Sequence, residues 1–538
     1  MSFSDNVQGG SHDTFAADDD VGHTSEDIVL YPEPTDSPND PLNWSTWRKY
    51  WHASLVLFIV GLTAATSNDA SSAQYGMNIQ LGVSWGAMNT ASGILFLSIG
   101  YATLLLAPIP SLYGRRMVYI ICLLWSIIGS VWMARTQNTQ DALWNQLFVG
   151  ASEACAEATA QLSLSDLFYQ HRRGMSMGLY VLATSVGTFL GPLIAGFIAD
   201  NAGWRWVGWA GAILSVATLI LFYFGFEETT FDRKFALQGV TPPSPPHPAT
   251  TPEALEKFAT PTGNTSVVST RDVENGSRDP RKSYLQQIAL VTPSPTLRGT
   301  GFKQYLESLW HTLKVFGFPA VWYSGLQWGA QDGWLTFYLT IEEDNWVGPP
   351  WNYSDNAAAI MNVSTLIGAV IGCIYGGWFS DTFVQWMAKR NNNVFEPEHR
   401  LWLMFPAAVI SPAGLMLFGI GSDKGWSWPG PYVGLGMIGF GWGCAGDLSM
   451  AYLQDAYPEM VLEGMVGVSV INNTIGCIFS FVAGDWLAVQ SVSQVFIAMG
   501  VMSFVFMMTT APMIYWGSIS RAWTKPRYEK FVHLRDGK

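Results

Sequence analysis

Residues 88–116 read MNTASGILFLSIGYATLLLAPIPSLYGRR. From Met88 to Gly114 the stretch carries no charged side chain, and two arginines then close it. A helix needs about 20 apolar residues to cross a bilayer core, and basic residues at its end mark the cytoplasmic side. Working outward, further runs of this kind fall near 49–76, 117–136, 142–168, 174–200, 205–226, 317–340, 356–380, 401–420, 430–455, 464–488 and 493–516. With 88–112 they make twelve, in two sets of six on either side of a polar stretch of roughly 90 residues. The expected fold class is therefore an all-α membrane protein, with twelve transmembrane helices in two six-helix bundles.

Composition agrees. The chain is 49% hydrophobic and 13% charged, where a soluble domain carries about 25% charged residues. Residues 1–47 are polar and acidic. They read as a disordered cytoplasmic tail and not as a cleavable signal peptide. Cys122, Cys155, Cys373, Cys444 and Cys477 all lie in apolar runs and read as core residues, so neither a disulfide framework nor a metal site is expected. With both termini cytoplasmic, 25 of the 28 Lys and Arg residues fall on the inner side, leaving only Arg135, Arg205 and Lys424. The expected domains are bundles at 48–226 and 317–516, a cytoplasmic linker at 227–316 and a cytoplasmic tail at 517–538. Much of the linker is rich in Pro, Ser and Thr and reads as a tether. Near its end Phe302, Tyr305, Leu306, Leu309, Trp310, Leu313 and Phe316 recur at helical spacing, the pattern of an interfacial amphipathic helix.

Five carboxylates lie inside the apolar runs with no base nearby: Asp69, Glu153, Glu157, Asp332 and Asp447. Each costs about 2.5–3.5 kcal/mol at the centre of a spanning helix, so such residues mark substrate, ion or proton paths. Glu153 and Glu157 stand four apart and share a helix face. Two such neighbours repel, and this pair is the expected proton-coupling site unless a dication satisfies both. An acidic path without bases asks for a cationic substrate. The aromatics Trp328, Trp334 and Tyr338, which flank Asp332, and Tyr452, which follows Asp447, are candidate walls for its methylene links; taken singly, lipid or core packing is the more common role for each. An acidic outer loop, Glu342, Glu343, Asp344 and Asp355, would concentrate polycations at the mouth. His52, Asn472 and Asn473 are weaker cavity candidates.

The stretch Gly100–Arg116 resembles the loop signature of the major facilitator superfamily, in which arginines after a glycine lock the two bundles. The resemblance implies a gate role for Gly114, Arg115 and Arg116, although Ser111 stands where the family usually has an acid. Asp166 is a further gate candidate at a cytoplasmic span end. Gly187-Thr-Phe-Leu-Gly191-Pro192 is similar to that superfamily's drug–proton antiporter motif, and close helix packing explains its glycines equally well. Gln146 stands where these transporters often carry an arginine. The stretches 37–45, 63–70, 152–158, 161–166, 350–355, 461–465 and 534–537 resemble the fungal plasma-membrane permeases for histidinol and polyamines. That likeness implies import of putrescine and spermidine, with spans 1, 4, 7 and 10 around a central cavity, and all five acids fall on those spans.

No G-x-x-x-x-G-K-[ST] loop suggests an ATP-driven pump, and no triad or metal-spaced cluster suggests an enzyme. The expected partners are a polyamine or other organic cation, protons and the lipid bilayer, with no nucleic acid and no cofactor, the protein acting as a monomer. Two rival readings stay open: a drug–proton antiporter exporting organic cations, and a non-transporting nutrient sensor.

Overall fold

The computed structural model describes residues 35, 37–168, 173–231, 282–294, 297, 301–344, 346, 351–353, 355–391 and 394–535. The acidic tail before residue 35 and most of the Pro/Ser/Thr-rich tether lie outside them, as do the side chains of Glu342, Glu343, Asp344 and Asp355. Residues 282–294 of that tether are ordered instead: the Tyr284 hydroxyl donates to the Phe224 carbonyl at 2.7 Å, and the Thr292 N–H to the Tyr113 carbonyl at 2.9 Å.

Twelve long helices order the described chain. The first half holds span 1, Thr46–Asn68; span 2, Trp85–Leu106; span 3, Arg115–Ala134; span 4, from Thr139 to Leu167; span 5, Arg173–Ala202; and span 6, Arg205–Gly225. The second holds span 7, Pro319–Asp344; span 8, Asp355–Ile374, running on through Tyr375–Phe379; span 9, Met404–Asp423; span 10, Pro429–Ala456; span 11, Val461–Val489; and span 12, Val492–Met508. Nine helices are long and apolar enough to cross a membrane, and spans 4, 7 and 10 fall short among the described residues. Those three carry Glu153, Glu157, Asp332 and Asp447. Span 1, which precedes Asp69, has the lowest mean hydropathy of the nine, 1.3. The helices that give up apolarity are the acid-bearing ones.

Local signals set the breaks. Gly114 sits at φ +100°, which a side chain would resist, and starts span 3 with a sharp turn. The Asn138 side chain accepts from the Asp141 N–H at 2.9 Å and caps span 4. Ser491 and Gln494 form a capping box at span 12. Within span 4 the α-helix gives way to a π turn over Cys155–Ala160 before resuming as Gln161–Leu167. Such turns often sit at functional positions, and this one carries Glu157.

Glycines let spans approach closely. A Cβ on Gly191 would lie 2.8 Å from Ala65 Cα of span 1, and one on Gly443 would lie 2.6 Å from the Ala369 carbonyl of span 8. The Pro192 carbonyl, which lies on span 5, accepts from the Ser72 hydroxyl at 2.9 Å. The Gly187–Pro192 motif thus packs span 5 on span 1 within the first half.

The linker helix forms over Phe302–Thr312. It leaves Phe302, Leu306, Trp310 and Leu313 exposed in one stripe, while the Tyr305 hydroxyl donates to the Leu105 carbonyl at 2.6 Å. An apolar stripe beside a polar face suits a membrane surface. After span 12 the chain remains helical over Thr510–Arg535. Arg521 grips Glu398 through two bonds of 2.9 and 2.7 Å, and Phe531 packs on His311 with ring centroids 4.0 Å apart. Residues 517–535 are therefore an ordered brace across the face that bears the termini.

Candidate functional site

The two halves meet differently on the two faces. On the terminal face they are bonded together. The Met175 N–H donates to Asp381 Oδ2 at 3.0 Å, Gln454 donates to Gln161 at 3.3 Å, and Gln161 donates to Met450 Sδ at 3.6 Å. Each half also carries its own arginine lock. Arg115 pairs with Asp166 at 2.7 Å, and Arg400 pairs with Asp381 at 3.0 Å and Asp455 at 3.2 Å. Glu228, past the end of span 6, accepts from the backbone N–H groups of Arg115 and Arg116, both at 3.1 Å. It places a carboxylate at the start of span 3, next to the loop that carries Ser111.

On the opposite face the halves part around a cavity of about 550 Å³. Its wall comes from the far ends of spans 1, 2, 4, 7, 11 and 12, with Asn68, Gln74, Asn89, Gln146, Thr336 and Asp485 as polar groups. The molecule is open away from its termini and shut toward them.

Below the cavity floor lie three of the five acids. Glu153 and Asp332 are buried and Glu157 is half-buried. Glu153 and Asp332 both act electrostatically on Glu157, and Asp332 acts on Glu153, so spans 4 and 7 bring the three carboxylates together from opposite halves. Asp332 Oδ1 accepts from the Trp442 indole N–H at 2.9 Å, and Asn472 lies beside it. Ser67 neighbours Glu153, and Ser469 and Tyr180 neighbour Glu157. Among the described residues none of the three makes an ion pair. Trp442 stacks obliquely on Trp328 at 4.5 Å and meets Phe189 of span 5 edge-on at 5.7 Å, giving the site an aromatic wall.

The structure does not bring the other expected ligands to this group. Span 1 ends at Asn68, so Asp69 sits half-buried at the helix end, between Asn68 and Ala70 of the cavity wall. Asp447 is fully buried nearer the terminal face, against Gly178 and Gly376. Trp334 packs on Phe479 at 5.2 Å, the Tyr338 hydroxyl donates to Asn362 at 2.9 Å, and Tyr452 meets Tyr323 at 5.8 Å. All three belong to the core of the second half. The reason is helical phase: at about 100° per residue, Trp328 lies roughly 40° from Asp332 around span 7, whereas Trp334 and Tyr338 point away from it. Trp442, Tyr180 and Asp485 escaped the sequence reading; the glycine-rich run Gly439–Gly446 around Trp442 was the available signal. His52 is buried at the terminal end of span 1, where its ring packs on Trp44 and Phe226.

Comparison with known proteins agrees with this architecture. Residues 53–484 match the Major Facilitator Superfamily. An MFS-type transporter of Schizosaccharomyces pombe is 50% identical over 95% of this chain and 91% of its own length. Protein HOL1 of Saccharomyces cerevisiae is 47% identical over 96% of this chain and 94% of its own length. The crystal structure of the human organic anion transporter MFSD10 (TETRAN) superposes with TM-score 0.51 at 14% identity, covering 86% of this chain and all of the human one; at that identity the likeness concerns the fold alone. A multi-pass membrane protein of two six-helix halves, with buried acids between them, this chain belongs to the Major Facilitator Superfamily of transporters, which are not enzymes.

Proposed function

We propose that this chain imports polyamines such as putrescine and spermidine, and related organic cations such as histidinol, across the plasma membrane by alternating access. The observation that carries the reading is the meeting of Glu153, Glu157 and Asp332 from two halves with no base paired to them. Three carboxylates under a closed floor repel one another and cost desolvation. Ammonium groups separated by a short methylene chain offset both penalties, and the Trp328–Trp442 wall suits the methylenes and the charge alike.

The basic residues crowd toward the terminal side, which supports cytoplasmic termini and an open face turned outward. Driving force then follows from charge. Each positive charge carried inward gains about 2.3 kcal/mol per 100 mV, so a trivalent amine gains about 7 kcal/mol, roughly a 10⁵-fold accumulation. Protons act at the same site: lowering the outer pH adds protons to the Glu153/Glu157 pair and weakens cation binding. Apparent affinity for spermidine should therefore fall as outer pH falls, and an affinity that does not change with outer pH speaks against the pair as ligands.

Uptake of labelled spermidine into cells lacking their own carrier is the deciding experiment. Import supports the proposal, accelerated loss from preloaded cells supports a drug–proton exporter, and no flux in either direction supports a sensor.

A further inference from the structure

We infer that Asp447 is a proton site distinct from the acid group under the cavity, and that its protonation from the terminal side gates closure of that face. The inference rests on the transport reading above, and its argument is geometric. Asp447 is fully buried on span 10, and neither carboxylate oxygen has a hydrogen-bond partner among the described residues. Two glycines form its surroundings. A Cβ on Gly376, at the end of span 8, would lie 3.0 Å from Asp447 Oδ2, and one on Gly178, on span 5, would lie 3.2 Å from the same atom. Span 5 belongs to the first half and spans 8 and 10 to the second, so the carboxyl group sits in the seam between halves. One turn from Gly178, the Met175–Asp381 bond closes that seam.

The charged and titratable groups around it are few. Arg400 and Asp381 act on it from the terminal side, and Cys373 of span 8 and Cys444 of its own span lie next to it. Span 5 contributes Gly178 and, beside Cys373, Ser185. Span 9 contributes the apolar Met404, Ala407 and Ala408 to the same cluster. Arg400 is already engaged by Asp381, Asp455 and the Ser380 hydroxyl. An ionised carboxylate in such a place, with no donor for either oxygen, costs several kcal/mol; the neutral acid fits it. The Trp328 ring covers Gly446, one residue before Asp447.

Opening the terminal face withdraws span 5 and admits water from that side. The carboxylic O–H bond then breaks, the proton passes to water, and the electron pair stays on the carboxylate, where Arg400 stabilises it. Reclosing the seam buries the group again, so a proton must first return from terminal-side water. No proton crosses the membrane through this site, but the return step depends on terminal-side pH.

The test uses the full chain in liposomes with internal and external pH set separately at clamped potential. Raising terminal-side pH should slow spermidine turnover in the wild type. Asp447→Asn, which is neutral at every pH, should lose that dependence while keeping the response to outer pH. A wild type insensitive to terminal-side pH, or an Asp447→Asn variant that keeps the sensitivity, overturns the inference. A substrate-free measurement separates this outcome from failure of the polyamine reading. Infrared spectra of aspartate-labelled protein at neutral pH should show a buried carboxylic-acid band that Asp447→Asn or Asp447→Glu removes. A band that neither variant removes, or no such band, overturns the inference even if spermidine is not the substrate.

Discussion

The acids of the terminal face and the acids of the membrane interior are the same chemical groups in opposite circumstances. Asp166, Asp381, Asp455 and Glu398 each have an arginine within 3.2 Å. Glu153, Glu157 and Asp332 have none among the described residues. The paired set is satisfied within the protein and acts as a clasp, because breaking it leaves a buried charge. The unpaired set is satisfied only by something that arrives. That difference, and not the mere presence of acids in a membrane protein, separates structure from function here.

The largest expected effect tests the clasp. Arg400→Ala leaves Asp381 and Asp455 facing each other, with Asp455 deeply buried, and should cost about 3–5 kcal/mol of stability. Thermal unfolding in detergent reads this directly, and an unchanged midpoint would show that the clasp is decorative. The interior set should behave in the opposite way. Glu157→Gln or Asp332→Asn should weaken spermidine binding by about 1.5–3 kcal/mol, tenfold or more, without loss of stability, since neither breaks an ion pair among the described residues. A variant that unfolds but binds normally would move its residue into the clasp class. A smaller effect attaches to Trp442→Phe. It keeps the ring against Trp328 but deletes the donor to Asp332, and should weaken binding by about 1 kcal/mol. Full retention of affinity would mean that Trp442 only packs. Smallest is Glu307→Ala on the linker helix: its partner Lys303 is 91% exposed, so neither stability nor transport should change measurably, and a clear loss of either would give that surface pair a role.

Much of this contrast was legible in the sequence. The twelve apolar runs, the linker helix and the split between halves follow from length and period, which local composition records. The positions of Glu153, Glu157 and Asp332 were equally plain, because an acid inside an apolar run has few bland explanations. Depth and direction were less so. Asp69 looked central because the apolar run continues past it, yet the regular α-helix of span 1 ends one residue before it. Asp447 looked like a ligand because span position alone does not reveal that it faces Gly178 and Gly376 at the seam. Trp334 and Tyr338 were placed near Asp332 by proximity in sequence, where helical phase would have turned them away. Arginine partners more than fifty residues distant, such as Arg115 for Asp166, leave no local trace; only a family signature pointed to them.

The same comparison suggests one steric probe. Gly178→Val puts side-chain carbons where a Cβ alone already meets Asp447 Oδ2, the Cys373 carbonyl and Gly377 Cα at 3.2 Å each. It should wedge the terminal face open and raise labelling of a cysteine introduced at Gln454, and unaltered labelling would show that the seam does not move there.

The central claim is that the unpaired interior acids form a site for multiply charged amines. It is tested most directly by equilibrium binding to the purified full chain, comparing spermidine, putrescine and a monoamine of similar length in wild type and in Glu153→Gln, Glu157→Gln and Asp332→Asn. The account predicts that wild-type affinity falls with each ammonium removed from the ligand, and that each carboxylate removed weakens spermidine more than the monoamine. Equal affinity for the three amines, or a spermidine affinity indifferent to all three substitutions, would contradict it.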